Sequence, residues 1–166
     1  SKNILIAGVV RNCSNKIRKD FDRINKSVSG FENTHWLVIE SDSQDQTVDA
    51  LKEISKIERN FRFITCGDLK HKIPSRTERI AYCRNIYIEE IQENILYKSI
   101  DYLLVVDLDN INQLISKSSF ESCWVKNPEE WAACTANQLG PYYDIFALRH
   151  PLWSPNDCFK SQYFLE

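Results

Sequence analysis

Ile4-Leu5-Ile6-Ala7-Gly8-Val9-Val10 is the longest uninterrupted apolar run of the chain, and it stops at once in Arg11-Asn12-Cys13-Ser14. The run is far shorter than the ~20 apolar residues that cross a bilayer. It also lacks the small-residue cleavage site of a secretory leader. Its β-branched content and polar stop predict a buried first strand that feeds a loop.

The segments downstream alternate. Residues 15–28 carry Ile17, Phe21, Ile24 and Val28 at helical spacing among mixed charges, and Gly30 follows as a stop signal. Residues 35–40 (HWLVIE) read as a second strand and residues 41–45 as a turn. Ser43 and Gln46 have the spacing of a capping box, opening a helix whose apolar face is Val48, Leu51, Ile54 and Ile57. A third short strand over residues 61–65 leads into a basic loop with Pro74, then a long helix over residues 76–97. Residues 102–106 (YLLVV) form the most hydrophobic strand. Alternating strands and helices predict an α/β fold, a mostly parallel sheet of Rossmann-like type with helices on both faces. In such sheets ligands bind at the carboxyl ends of the strands.

Composition agrees. A length of 166 residues predicts one compact domain, or one domain cut short, long enough to bury a core. With 21 Lys plus Arg against 23 Asp plus Glu, nothing draws the whole molecule to nucleic acid or an acidic membrane. The six cysteines contain no C-x-x-C pair, so neither a zinc site nor a disulfide framework is expected; reduced thiols in a cytoplasmic protein are. No segment is expected to span a membrane. After Asn112 the texture changes: ten of the 19 aromatic residues and four of the five prolines lie between Phe120 and Glu166. A strand is expected at residues 131–136 and irregular structure over most of the rest.

Three groups of residues carry chemistry. In Val105-Val106-Asp107-Leu108-Asp109-Asn110, two carboxylates at i and i+2 follow a strand directly. In extended backbone they share one side, about 7 Å apart, while Leu108 points to the core. Such a pair suits a divalent cation that fills its remaining positions with phosphate oxygens and water; a solvated strand-end turn uses the same residue types. The segment from Leu69 to Arg84 sets five cations, Lys70, Lys72, Arg76, Arg79 and Arg84, against the single carboxylate of Glu78. Arg84 falls within the apolar stripe of Ile80, Cys83, Tyr87, Ile91 and Ile95, and Arg76 lies near its edge, so an anionic partner is expected. Last, Glu40 and Asp42 share one face at a strand's carboxyl end, where a carboxylate can bond a base or a ribose. Ser43, Asp45 and Thr47 there cap the following helix.

Taken in this order, the segments resemble a GT-A fold nucleotide-sugar glycosyltransferase. IESDSQDQT (residues 39–47) is similar to the V-D-D-G-S-x-D-G-T motif after the second strand of that superfamily. RTERIAYCRN (76–85) resembles its Arg-rich helix, and VVDLDN (105–110) its Asp-x-Asp. WAACTANQLGPYYDIFALRH (131–150) is similar to the fungal capsule-associated α-1,3-mannosyltransferases, which act in polysaccharide biosynthesis. The resemblance covers roughly residues 3–150. It implies a nucleotide-sugar-binding half over residues 1–112 and a partial acceptor-side half over 113–166 of a single domain, since related catalytic domains are usually longer.

The resemblance further implies that Asp109 ligates Mn²⁺ or Mg²⁺, with Asp107 on ribose or the metal. Glu40 and Asp42 would face the nucleoside, and Gly8, Val10, Arg11 and Asn12 would line the base pocket. Arg84 and Arg76 would neutralise the diphosphate or hold the metal-site carboxylates, and Asp144 would contact the acceptor or serve in catalysis. The donor implied is a nucleotide-diphosphate sugar such as GDP-mannose; the acceptor is a glycan or another hydroxyl. The chain departs from the pattern at Ser41, where many members have Asp, and at Gln46, where they have Gly. A further metal ligand would have to come from His150 or Asp157. Two other classes use similar residues: a nucleotide-sugar-binding domain without turnover, and a phosphatase of haloacid-dehalogenase type. In the latter the Asp-x-Asp opens the domain, whereas here it lies two thirds of the way along the chain.

Overall fold

A computed structural model of the chain describes residues 2–136 and Leu152. Four parallel strands, β1 (Asn3–Val10), β2 (Asn33–Glu40), β3 (Phe61–Thr65) and β4 (Tyr102–Val105), form one sheet in the order β3-β2-β1-β4. Helices α1 (Ile17–Ser27), α2 (Thr47–Ile57), α3 (Arg76–Glu93) and α4 (Lys117–Glu121) complete the described elements, with short 3₁₀ turns. The expected α/β class and parallel, Rossmann-like sheet are what the chain adopts. It divides into two compact units after Lys126, so α4 belongs with the sheet.

Side-chain alternation explains the layers. Ile4, Ile6, Val10, Trp36 and Val38 pack on Ile17, Phe21 and Ile24 of α1 and on Leu51 and Ile54 of α2. The other parity, Leu5, Ala7, Leu37 and Ile39, packs on Cys83 and Tyr87 of α3. Strands covered on both faces need no polar alternation, which is why β1 reads as a continuous apolar run. Each fully buried Ile, Leu or Phe adds about 1.5–3 kcal/mol.

From β1 the chain moves through β2 to β3, then returns across the sheet to β4 on the other side of β1. The order therefore reverses between β1 and β4, the position at which open parallel sheets bind ligands beyond the strands' carboxyl ends. Gly8 sets how closely these ends approach. A Cβ at this position would lie 2.7 Å from the Val106 carbonyl oxygen and 3.0 Å from Leu108 Cδ1. The bare backbone of Gly8 lets Val106 and Leu108 bury over β1 while the Val106 N–H donates to the Ala7 carbonyl at 3.0 Å.

Several expectations are corrected. The long helix ends at Glu93, because Asn94 turns to extended backbone and its side chain accepts from the Leu96 N–H, starting a separate 3₁₀ turn over Ile95–Tyr97. Ile95, expected on the apolar stripe, is therefore 80% exposed. Ser43 and Gln46 form no capping box: Gln46 precedes α2 without a side-chain cap, and Ser43 serves β1 instead. Strand β4 is at the edge of the four strands, so Leu103 and Val105 remain about half exposed. Residues 131–136 form no strand; the exposed run from Ala132 to Ala136 has no ladder partner among the described residues.

Gly8→Ala should destabilise the fold by ~1–3 kcal/mol, the usual cost of forced overpacking, measured by urea denaturation. Gly30→Ala is the control: its Cβ meets nothing within 4 Å, and a change within about 0.5 kcal/mol is expected.

Candidate functional site

Strands β1, β2 and β4 all end in turns with left-handed backbone. Asn12 has φ 50°, Asp42 φ 57° and Asn110 φ 75°. Asn and Asp tolerate this conformation better than other non-glycine residues, and all three stand beyond the carboxyl ends of strands in one sheet.

Each turn is held from its neighbour. Arg11 Nε donates to the Asp42 carbonyl at 3.3 Å, the Asn12 N–H to Ser43 Oγ at 3.1 Å, and the Gln44 N–H to Asn12 Oδ1 at 2.8 Å. Next to them, the Cys13 N–H donates to Thr47 Oγ1 at 2.7 Å, and Asp45 accepts from the Ser14 N–H and hydroxyl at 3.1 and 2.8 Å. The turn after β4 is pinned from below. Asp20 of α1, fully buried, accepts the Asn110 N–H at 2.7 Å and pairs with Arg23 at 3.3 Å.

Glu40 and Asp42 both line a cleft of about 360 Å³ with Arg11, Gln44 and Lys70. Both also hold internal donors. Glu40, 2% exposed, accepts from the Ser43 N–H at 3.0 Å and from the Thr65 hydroxyl. Asp42 Oδ1 accepts from the Leu69 and Lys70 N–H groups at 2.8 Å each, and Oδ2 lies 3.4 Å from Arg79 Nε. Val10, buried, enters through its backbone, its carbonyl accepting the Ser41 N–H at 3.4 Å. Gly8 acts on the β4 side, as the close approach to Val106 requires.

Asp107 and Asp109 are exposed, whereas Val106 and Leu108 are buried, so the strand's alternation continues past its last ladder bond. Asp107 continues the parity of Leu103 and Val105, which face the α3 side. There Arg84 Nη2 is 3.8 Å from Asp107 Oδ1. Contrary to the sequence reading, Arg84 is exposed and so is Arg76; the buried arginine of α3 is Arg79. Residues 79, 83 and 87 stand at i, i+4 and i+8, so Arg79 shares a row with buried Cys83 and Tyr87, and Arg84 is one step off it. That signal was present in the sequence.

Among the described residues no group of three or more His, Cys, Asp or Glu could hold a metal. Asp107 and Asp109 supply two exposed hard oxygen donors just beyond the carboxyl end of β4. This fits Mg²⁺ or Mn²⁺ when a ligand's phosphate oxygens and water complete the shell. Asp144, His150 and Asp157 lie outside the described residues. His71 is exposed in the basic loop, 3.2 Å from Asp68.

Electrostatics separate supporting groups from exposed ones. Burial acts to raise the Asp45 carboxyl, but hydrogen bonds from Thr47 and Ser14 outweigh it and hold the group at about 2. Burial likewise opposes ionisation of Asp42, and the backbone donors of Lys70 and Leu69 keep it below the usual carboxylate range. Burial pushes the Cys13 and Cys66 thiols up to about 11, so both stay protonated at neutral pH. In comparisons with known proteins, the chain matches no family model and no curated protein.

Asp45→Ala should lower stability at pH 7 by ~1 kcal/mol, as loss of a carboxylate cap does. The native carboxyl titrates below its unfolded value, so its contribution is complete above about pH 4 and lost as pH falls through about 2. The deficit of the variant in thermal melts should therefore shrink between those limits.

Proposed function

We propose that the chain is the catalytic region of a metal-dependent glycosyltransferase. It would move a sugar from a nucleotide-diphosphate sugar, GDP-mannose among the candidate donors, to the hydroxyl of a glycan or other acceptor. The observation that carries this reading is the pair of exposed carboxylates, Asp107 and Asp109, at the carboxyl end of β4. They stand across the order reversal from β1, with an arginine of α3 beside them.

Asp107 and Asp109 would hold Mn²⁺ or Mg²⁺. The bound ion would neutralise charge that develops on the departing nucleoside diphosphate. Arg84 is near enough to Asp107 to contact the same phosphates, and its exposure leaves it free to exchange partners. Arg11, Gln44 and Lys70 offer donors along the cleft in which the nucleoside would lie. Donors placed along the path of the diphosphate would stabilise the charge that develops on the leaving group. From the resemblance, Asp144 is assigned to the acceptor side. The resemblance puts the nucleotide-sugar-binding half at residues 1–112, so a nucleotide-sugar-binding domain without turnover would use the same residues.

No described helix is long and apolar enough to cross a membrane. Nothing in the charge balance favours nucleic acid as a partner.

Calorimetric titration with GDP-mannose, UDP-glucose and the two free diphosphates, with and without Mn²⁺, tests the reading. Metal-dependent binding of at least one ligand is expected, weakened by at least about tenfold in Asp109→Ala. Absence of metal-dependent binding, or an unaffected variant, would sink the proposal. Binding without transfer or donor hydrolysis would favour the non-catalytic module; hydrolysis of simple phosphomonoesters would favour a phosphatase.

A further inference from the structure

Of the three arginines on α3 only Arg79 is buried, at 7% exposure. A guanidinium withdrawn from water needs polar partners, and here they come from one loop and from Asp42 after β2. Arg79 Nη1 donates to the carbonyls of Ile73 and Pro74, both at 2.7 Å, and Nε lies 3.4 Å from Asp42 Oδ2. Asp42 holds the other end of the same loop. Its N–H donates to the Gly67 carbonyl at 2.8 Å, and its Oδ1 takes the Leu69 and Lys70 amides. One buried ion pair thus grips residues 67–74 at start, middle and end.

The pair is poorly arranged for stability alone. Asp42 Oδ2 is buried and makes no well-formed hydrogen bond, and buried ion pairs with unmet bonding capacity are often no more stabilising than apolar residues of the same volume. What the pair does fix is position. The gripped loop supplies Lys70 to the cleft, while Arg11 approaches from β1 and donates to the carbonyl of the same Asp42. Asp42 therefore stands between the two cations that line the cleft, and Arg79 holds Asp42.

The geometry points to Arg79 as a positioning residue of the nucleotide cleft, acting through Asp42 to hold Lys70 against an anionic ligand. This rests on the proposed donor-binding function and names a residue that the resemblance did not assign to it. Arg79 does not line the cleft and is not a catalytic residue. Lysine in its place keeps the charge but cannot bridge two carbonyls and a carboxylate with a planar fork.

A double-mutant cycle on the full chain tests this. The affinities of GDP and UDP with Mn²⁺ are measured for wild type, Lys70→Ala, Arg79→Lys and the double variant, with thermal melts alongside. Lys70→Ala should weaken the tighter diphosphate about tenfold in wild type and less than about threefold in the Arg79→Lys background, a coupling within the range seen for residues that share a network. A merely structural role lowers the melting temperature yet leaves the Lys70→Ala factor the same in both backgrounds, and that result overturns the inference. So does an Arg79→Lys variant that binds as tightly as wild type. If Arg79→Lys does not fold, Asp42→Asn carries the same cycle, because it keeps an acceptor for the two amides and removes the charge that holds Arg79. Wild type that binds neither diphosphate overturns the proposed function and this inference together, which distinguishes it from an additive cycle in a protein that binds.

Discussion

Strand β1 is hydrogen-bonded along both edges, to β2 and to β4, and at Gly8 the β4 chain passes so close that a single carbon added to β1 would meet a backbone carbonyl. The candidate site depends on that contact. Because Val106 and Leu108 lie flat over β1, the residues between and after them are turned outward, and these are Asp107 and Asp109. Asp20, reaching up from α1 to the Asn110 amide, stops the turn from swinging. The carboxylates are therefore held by the sheet and one helix, not by a free loop.

Helix α3 contacts the carboxyl ends of both β2 and β4. Arg79 reaches the end of β2 through Asp42, Cys83 Sγ contacts Ser41 Oγ at 3.6 Å, and Arg84 stands 3.8 Å from Asp107 after β4. Magnitudes separate the two arginines. An exposed pair such as Arg84 with Asp107 contributes about 0–1 kcal/mol, so phosphate or metal can displace it at little cost. Breaking a buried pair by removing one partner costs about 3–5 kcal/mol, so Arg79 stays where it is. The helix can hold the cleft with one arginine and offer the other to a ligand.

Much of this was legible in the sequence. Periodicity located all four strands of the sheet and the core face of α1, because Ile17, Phe21, Ile24 and Val28 bury as a single stripe. The strand-end rule then placed Asp107, Asp109, Glu40 and Asp42 at one edge. What periodicity cannot carry is which donors a carboxylate meets. Glu40 turned to Thr65 on β3, and Asp42 to an arginine 37 positions away; neither partner is local in sequence. Ser43 and Gln46 failed as a capping box for a related reason, since the amide of Asn12, in the turn after β1, captured the serine. Hydrophobicity marked β4 as a core strand, but with β1 as its one pairing neighbour among the described residues, Leu103 and Val105 stayed half exposed. Arg79 differs from these cases: its i, i+4, i+8 row with Cys83 and Tyr87 is readable in the sequence, and Arg84 lies one step off it.

The central claim is that a divalent ion and a nucleoside diphosphate meet at the carboxyl ends of β1 and β4. Paramagnetic broadening tests it most directly: amide spectra of the labelled full chain are recorded with a nucleoside diphosphate, then with substoichiometric Mn²⁺ added. The account predicts that signals of residues 107–110 vanish first and those of residues 8–12 next, while the amides at the far end of α2, residues 54–57, broaden least. Uniform broadening, or broadening centred on Asp68 with residues 107–110 untouched, would contradict it.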